Sequence, residues 1–441
     1  MPVTLNLEVS RRRARILLVL IAVLTAGVLV GAFLAVTVLA GSGGLLSIVA
    51  SQLNLGSENV AAVWYSSMLL FSVALAMTAC FLVDREAGSG VHADASLADY
   101  GWLMCAAVFV VLSLDELGSV HERIFFISAI PRVAGLHGWT SVLAVPIGIV
   151  AAGLLWFAAV RVRRQPMAAF LMVLGILLFV SIPVQEHLEV AKYYGADGDR
   201  RPTWMFVAEE GSELVGALLF LAGAFVYAVR ASGLNDGRTR LVQLELRKRL
   251  VYGIIAAAVV GILVTRELLP FVMDMTDNRG VMENWFPSVV AYFLSLLLLN
   301  ESLNARSSGA QSTFVGLGVF AVANLLLSVD HGSAHLLTER LLGGTDSVRA
   351  QVDVMVALGI VASAGLTFAT VACTPMRIAS ATWMVLQLAA FMPGEPPRTL
   401  LALAAYAVVL AGYSRWNSGQ RGAEIIPRSA DAEATRLTAS I

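Results

Sequence analysis

Charge is scarce in this chain. Asp, Glu, Lys and Arg supply 14% of the 441 residues while hydrophobic types supply 58%, and an average soluble domain carries about 25% charge. So little charge cannot clothe a water-exposed surface, which excludes a soluble globular protein. Lysine is reduced to Lys192 and Lys248, leaving arginine as the working cation. Cysteine is limited to Cys80, Cys105 and Cys373, all inside apolar runs at unrelated spacings. That pattern excludes a disulfide framework or a zinc motif and predicts packed thiols. A phosphate-binding glycine loop, a nucleophile elbow, an HExxH pair and a soluble domain are all missing, which removes ATP-driven pumps and proteases of familiar type. The net charge of -1 carries no footprint for nucleic acid. Period-two alternation is read as absent, so helices rather than a barrel are expected to satisfy the backbone in lipid.

What the sequence has is apolar runs. A helix needs about 20 residues to cross a hydrocarbon core of about 30 Å, and candidate spans recur at 16–40, 61–83, 101–120, 139–160, 167–186, 204–229, 250–268, 285–302, 313–331, 352–373, 379–393 and 398–413. The expected fold is therefore an all-α integral membrane protein of about 12 transmembrane helices. Arg11, Arg12, Arg13 and Arg15 precede the first run, which is too long for the core of a cleaved signal peptide. Placing this end in the cytoplasm also puts Arg161, Arg163 and Arg164 inside. The basic stretch from Arg230 through Arg238, Arg240, Arg247, Lys248 and Arg249 falls inside too, as does the tail with Arg415 and Arg421. The expected location is a bacterial cytoplasmic membrane with both termini cytoplasmic.

The sequence divides at the basic stretch: a first half 1–230, a cytoplasmic linker 231–248, a second half 249–413, and a disordered tail 414–441. The halves share polar landmarks. SENVAAVWYSS at 57–67 resembles MENWFPS at 282–288, and LSLDELGSVHER at 112–123 resembles LSVDHGSAHLLTER at 327–340. Two related six-helix halves in parallel orientation are the expectation.

Three clusters carry candidate chemistry. Asp115, Glu116, His121 and Glu122 end one apolar run; Glu186 and His187 end another; Glu209, Glu210 and Glu213 open a third. Asp330, His331 and His335 are the second-half counterparts. Burying an ionised carboxylate costs several kcal/mol, so such residues line a cavity, pair with one another or hold an ion. Glu209 and Glu213, four apart, share a helix face. Like charges that close call for a proton or a cation, and the donor set of oxygens with added imidazole admits a divalent metal. His121, Glu122 and His187 also suit wetted helix exits, where they would do nothing but meet water. Gly27 and Gly31 are expected to serve helix packing, and Pro183 to kink or end its helix.

The combination of Glu58-Asn59 before a Trp-Tyr-Ser-Ser helix, SLDE followed by HE, and EExxE resembles uncharacterised bacterial multi-pass membrane proteins, a resemblance that covers the first half and implies no activity. A weaker likeness is to the alkaline ceramidase-like membrane hydrolases, carried by GSAH at 332–335 and by Asp115 with His121. It implies a metal held by Asp, Ser and His, but the paired late histidines of those proteins are missing here. Three functions follow as expectations: a cation- or proton-coupled secondary transporter, an intramembrane metal-dependent hydrolase acting on a lipid, and a non-catalytic structural subunit of a membrane complex. Expected partners are membrane lipid and a small ion or lipid-like substrate.

Overall fold

The computed structural model describes residues 3–9, 11–39, 45–55, 60–88, 97–118, 133, 140–193, 203–231, 240–246, 279–307, 309–333, 346–371, 374–390, 401–402 and 404–413. A strand β1 (Val3–Val9) leads into helices α1 (Arg11–Thr37), α2 (Leu45–Leu53), α3 (Ala61–Gly88) and α4 (Leu97–Gly118). Then come α5 (Thr140–Phe157), which runs on into one π-helical turn at Ala158–Val162, α6 (Pro166–Tyr193), α7 (Thr203–Ala231) and a second strand β2 (Arg240–Leu246). The rest comprises α8 (Arg279–Ser307), α9 (Gln311–Gly332), α10 (Asp346–Thr370), α11 (Thr374–Ala390) and α12 (Ala404–Tyr413).

Among the described residues, 8 helices are long and apolar enough to cross a membrane: α1 and α3 through α9. The protein is a polytopic, multi-pass membrane protein by that length and hydropathy. Of the expected 12 spans, these 8 are found on the described residues. Further along the chain the described apolar stretches are Leu358–Thr370 within the 25-residue α10 and Ala404–Tyr413, and α11 has 17 residues. The expected span 250–268 lies outside the described residues. Side-chain exposure fits a lipid-facing exterior: Ile16, Val19, Leu20 and Val23 of α1 and Val145 and Ile149 of α5 are all exposed apolar residues. In water such a surface would aggregate; in hydrocarbon it costs nothing.

The central helix of the first half is α3, which packs on α4, α7 and α2 and touches α8 and α9. Its Cys80 thiol is buried and donates to the Ala224 carbonyl of α7 at 3.3 Å, and Cys105 of α4 is buried as well. Both are packed thiols; Cys373 lies outside the described residues. Helices α6 and α7 approach closely because small residues alternate with large ones across the seam. A Cβ on Gly175 would sit 3.1 Å from the Gly216 carbonyl oxygen and one on Gly223 3.2 Å from that of Ala168, with Phe220 and Met172 filling the gaps. Gly31 of α1 faces Leu53 of α2, whereas Gly27 faces open space, so those two glycines make no shared packing face.

In the second half, α8 and α9 form one tight pair, joined where Ser302 Oγ donates to the Phe314 carbonyl. Phe320, Trp383 and Tyr406, all fully buried, centre a second core among α9, α11 and α12. The two halves meet through exchanged indoles. Trp64 Nε1 of α3 donates to Ser328 Oγ of α9 at 3.1 Å, and Trp285 Nε1 of α8 donates to Ser113 Oγ of α4 at 3.2 Å. Each acceptor serine is bonded within its own helix pair, Ser67 to Ser113 and Ser288 to Ser328.

The strands correct the expectation that period-two alternation is absent. Strands β1 and β2 pair antiparallel with Val3 opposite Leu246, Leu5 opposite Leu244 and Leu7 opposite Val242. VTLNLEV alternates apolar and polar register positions throughout and RLVQLEL does so from Val242 to Leu246, and over that paired stretch the apolar positions fall opposite one another. The ribbon reaches from the N-terminus into the stretch expected to be a plain basic linker.

Candidate functional site

Helices α4 and α7 are antiparallel and meet in layers seven residues apart. Trp102 stacks near Tyr227 with ring centroids 4.6 Å apart, Phe109 meets Phe220 at 4.7 Å, and Glu116 is hydrogen-bonded to Glu213. Seven residues are close to two helical turns, about 10 Å, so each layer returns to the same face. Helix α6 joins the pattern: Phe179 lies 6.1 Å from Phe109 and 6.0 Å from Phe220, and Glu186 follows it by seven. A carboxylate thus lies two turns from the aromatic layer on each of three helices, and those of α4 and α7 come together.

At that layer Glu116, Glu210 and Glu213 each offer a carboxylate oxygen within 4.8 Å of the others, and all three are half-buried. Glu209 lies within electrostatic reach of Glu213. The α6 and α7 sides are fastened by Gln185, whose Nε2 donates to Ser181 Oγ at 2.9 Å and to Ser212 Oγ at 3.2 Å. Beneath the carboxylates is a cavity of about 560 Å³ enclosed by α4, α5, α6 and α7 with Leu70 of α3. Asp115, Glu116 and Glu213 line it at one end and the aromatic layer lines it too. Pro146 of α5 and Pro183 of α6 are both in its wall. Each lacks an N–H and leaves the carbonyl four residues back without its helical donor. Helix α6 nonetheless continues past Pro183 to Tyr193, so QEHLEV is helical, and of the expectation that Pro183 kinks or ends its helix the ending is corrected.

The candidates from the sequence divide accordingly. Asp115, Glu116, Glu210 and Glu213 are brought together in or beside the cavity, with Glu209 next to them. Glu186 and His187 are half-buried on α6 but belong to neither the three-carboxylate group nor the cavity wall. Asp330, buried, and His331, half-buried, end α9 and belong to neither as well. His121, Glu122 and His335 lie outside the described residues.

One polar centre escaped the sequence reading. At the far end of the same helices Asp84 accepts from Trp102 Nε1 at 2.7 Å, from Tyr227 OH at 2.8 Å and from Arg161 Nε at 3.0 Å. The Arg161 NH2 group also lies 2.8 Å from it as an ion pair, with the Asp84 side chain 6% exposed. Asp84 thereby ties the ends of α3, α4 and α7 to the π-helical turn after α5. The available signal was Asp84 closing an apolar helix with Arg161 closing another.

Residues 16–228 match a domain of unknown function (DUF8692). No curated protein and no solved structure matches the chain.

Proposed function

We propose that the protein is a cation- or proton-coupled secondary transporter of the bacterial cytoplasmic membrane, with Glu116, Glu210 and Glu213 as its ion site and Asp115 and Glu209 beside it. The observation that carries this reading is the convergence of three carboxylates from two helices, two of them, Glu116 and Glu213, lining one end of a large cavity. At an effective dielectric of about 20, unit charges about 5 Å apart repel by roughly 3 kcal/mol per pair before solvent screening. Three ionised carboxylates would then offset a sizeable part of a folded state worth about 5–15 kcal/mol, so the site demands a proton or a cation. Exchange of that counter-charge is the basis of coupling.

The positive-inside pattern supports cytoplasmic termini and an outward-facing carboxylate end. Pairing of β1 with β2 supports the same reading, since it holds the N-terminus and the 231–248 stretch on one side. The reciprocal Trp64–Ser328 and Trp285–Ser113 bonds support an origin by duplication, the halves being 1–230 and 249–413 around the 231–248 linker. Trp-x-x-Ser and Ser-x-Asp then occupy equivalent places in both. A second reading, a metal-dependent hydrolase of lipids, is favoured by the apolar, laterally open cavity beside candidate ligands for a divalent metal.

Proteoliposome ion uptake and elemental analysis on wild type and Glu116→Gln/Glu213→Gln separate these. The transporter predicts ion-coupled flux abolished in the variant. Bound metal lost in the variant without flux in either protein assigns the hydrolase, and a metal-free, flux-free pair leaves a structural subunit.

A further inference from the structure

Helices α4 and α5 touch at one end only. There a Cβ on Gly101 of α4 would run into the Phe157 ring, and that ring stands edge-on to Trp102 at 4.8 Å. Beyond this contact α5 packs chiefly against α6, and the cavity of about 560 Å³ lies between α5 and α4. The space is a wedge, closed where Phe157 meets Gly101. Its wall is aliphatic, with Val108 and Leu112 from α4, Ile147 and Leu154 from α5 and Ile176 from α6. Val111, Val150 and Val180 also line it and are 61%, 38% and 38% exposed. On α5, Val150 adjoins the exposed Val145 and Ile149 of the lipid-facing exterior. The wedge is therefore a recess in that exterior and opens sideways into hydrocarbon.

Its height matches one leaflet. Leu143 and Leu154 mark its two ends on α5, eleven residues or about 16 Å apart, and Ala107 and Glu116 mark them on α4, nine residues or about 14 Å apart. Half of a hydrocarbon core of about 30 Å is about 15 Å. Glu116 and Leu143 lie near the ends of their helices, so this end of the wedge is at headgroup depth and the closed end falls near the midplane. Water or a sugar would meet the aliphatic wall without polar partners. A lipid chain needs none, and it already lies beside the opening. Hydrocarbon is as apolar as the wall, so what retains a chain is close packing against branched side chains and the Phe109–Phe220 layer.

We infer that the wedge is the binding site of one acyl chain of a membrane phospholipid, which enters sideways between α4 and α5 and lies lengthwise along the aliphatic wall, its headgroup level with Glu116. The wall and its height select this occupant whatever the carboxylates hold, so the inference goes beyond the ion site and does not rest on it.

The test is photolabelling of the full chain in phosphatidylcholine nanodiscs doped with a phosphatidylcholine that carries a diazirine on one acyl chain, the adducts being mapped by mass spectrometry. Leu112 and Leu154 report the wedge. Ile149, 69% exposed on the outside of α5, reports ordinary contact with the bilayer. In wild type all three should be labelled, with a diazirine near the methyl end of the chain favouring Leu154 and one near its carbonyl end favouring Leu143. Ile147→Trp and Ala151→Phe, which fill the wedge at two heights, should each lower the Leu112 label by about tenfold. Both should leave Ile149 labelled as in wild type, which also shows that the variant has inserted. Label at Ile149 without label at Leu112 in wild type leaves only lipid on the outer surface and overturns the inference. So does a Leu112 label that neither variant lowers. Carboxylate-dependent ion flux in a protein whose wedge is unlabelled keeps the transporter and removes this site; a labelled wedge without flux does the reverse.

Discussion

The two ends of the α4–α7 pair treat buried carboxylates in opposite ways. Trp102 and Glu116 are 14 residues apart on α4, as are Tyr227 and Glu213 on α7, so the two sites are separated by about 21 Å of the same two helices. At one end Asp84 is met by an indole, a phenol and a guanidinium, each a donor at 2.7–3.0 Å. At the other, Glu116 and Glu213 meet each other and Glu210. The first arrangement pairs its carboxylate with donors and fixes structure; the second sets acid beside acid, the feature on which the proposed ion site rests. A buried carboxylate therefore indicates function only through the company it keeps.

The sharpest way to break that contrast is Asp84→Ala. It removes the carboxylate that pairs with Arg161 and leaves Trp102 and Tyr227 without this acceptor, and is expected to lower stability by about 3–5 kcal/mol, read as a fall in the thermal midpoint of the purified protein. Next is Gly332→Ala, because a Cβ there would run into the Trp64 ring and press on Ser288. Overpacking of about 1–3 kcal/mol is expected, with a change in tryptophan emission as Trp64 leaves Ser328. Trp64→Phe and Trp285→Phe each remove one inter-half hydrogen bond, worth about 1 kcal/mol. Similar losses from the two would fit equivalent places in a duplicated frame; a cost confined to one would not. Smallest in stability is Glu116→Gln/Glu213→Gln, for which the thermal midpoint should hold or rise as acidic repulsion is relieved. A fall as large as that of Asp84→Ala would make the carboxylate end structural and erase the contrast.

Much of this frame was legible in advance. Apolar runs located every one of the 8 long helices among the described residues, because burial in lipid demands continuous hydrophobicity rather than a pattern. The carboxylate cluster was legible for the converse reason, that charge inside such a run is costly. The heptad series Trp102, Phe109, Glu116 and Glu213, Phe220, Tyr227 lay in the sequence but was hidden, since helices that are apolar all round give periodicity little contrast. Asp84 was passed over because a charge at a helix end beside Arg85 reads as a wetted exit; only the fold brings Arg161, 77 residues away, to meet it. The β1–β2 pair lay in the sequence only as short alternation, strict across β1 but confined to Val242–Leu246 in β2, a weak signal beside the long apolar runs.

That small ribbon has a consequence for how the protein is made. Its strands are separated by all seven helices α1–α7, so β1 leaves the ribosome first and waits for its partner until residue 246 has been synthesised. At about 5–20 residues per second the wait is on the order of ten to fifty seconds. The clasp can close only after α1–α7 have all been synthesised and can do so before α8 is complete, which places its earliest formation between the making of the two groups of helices.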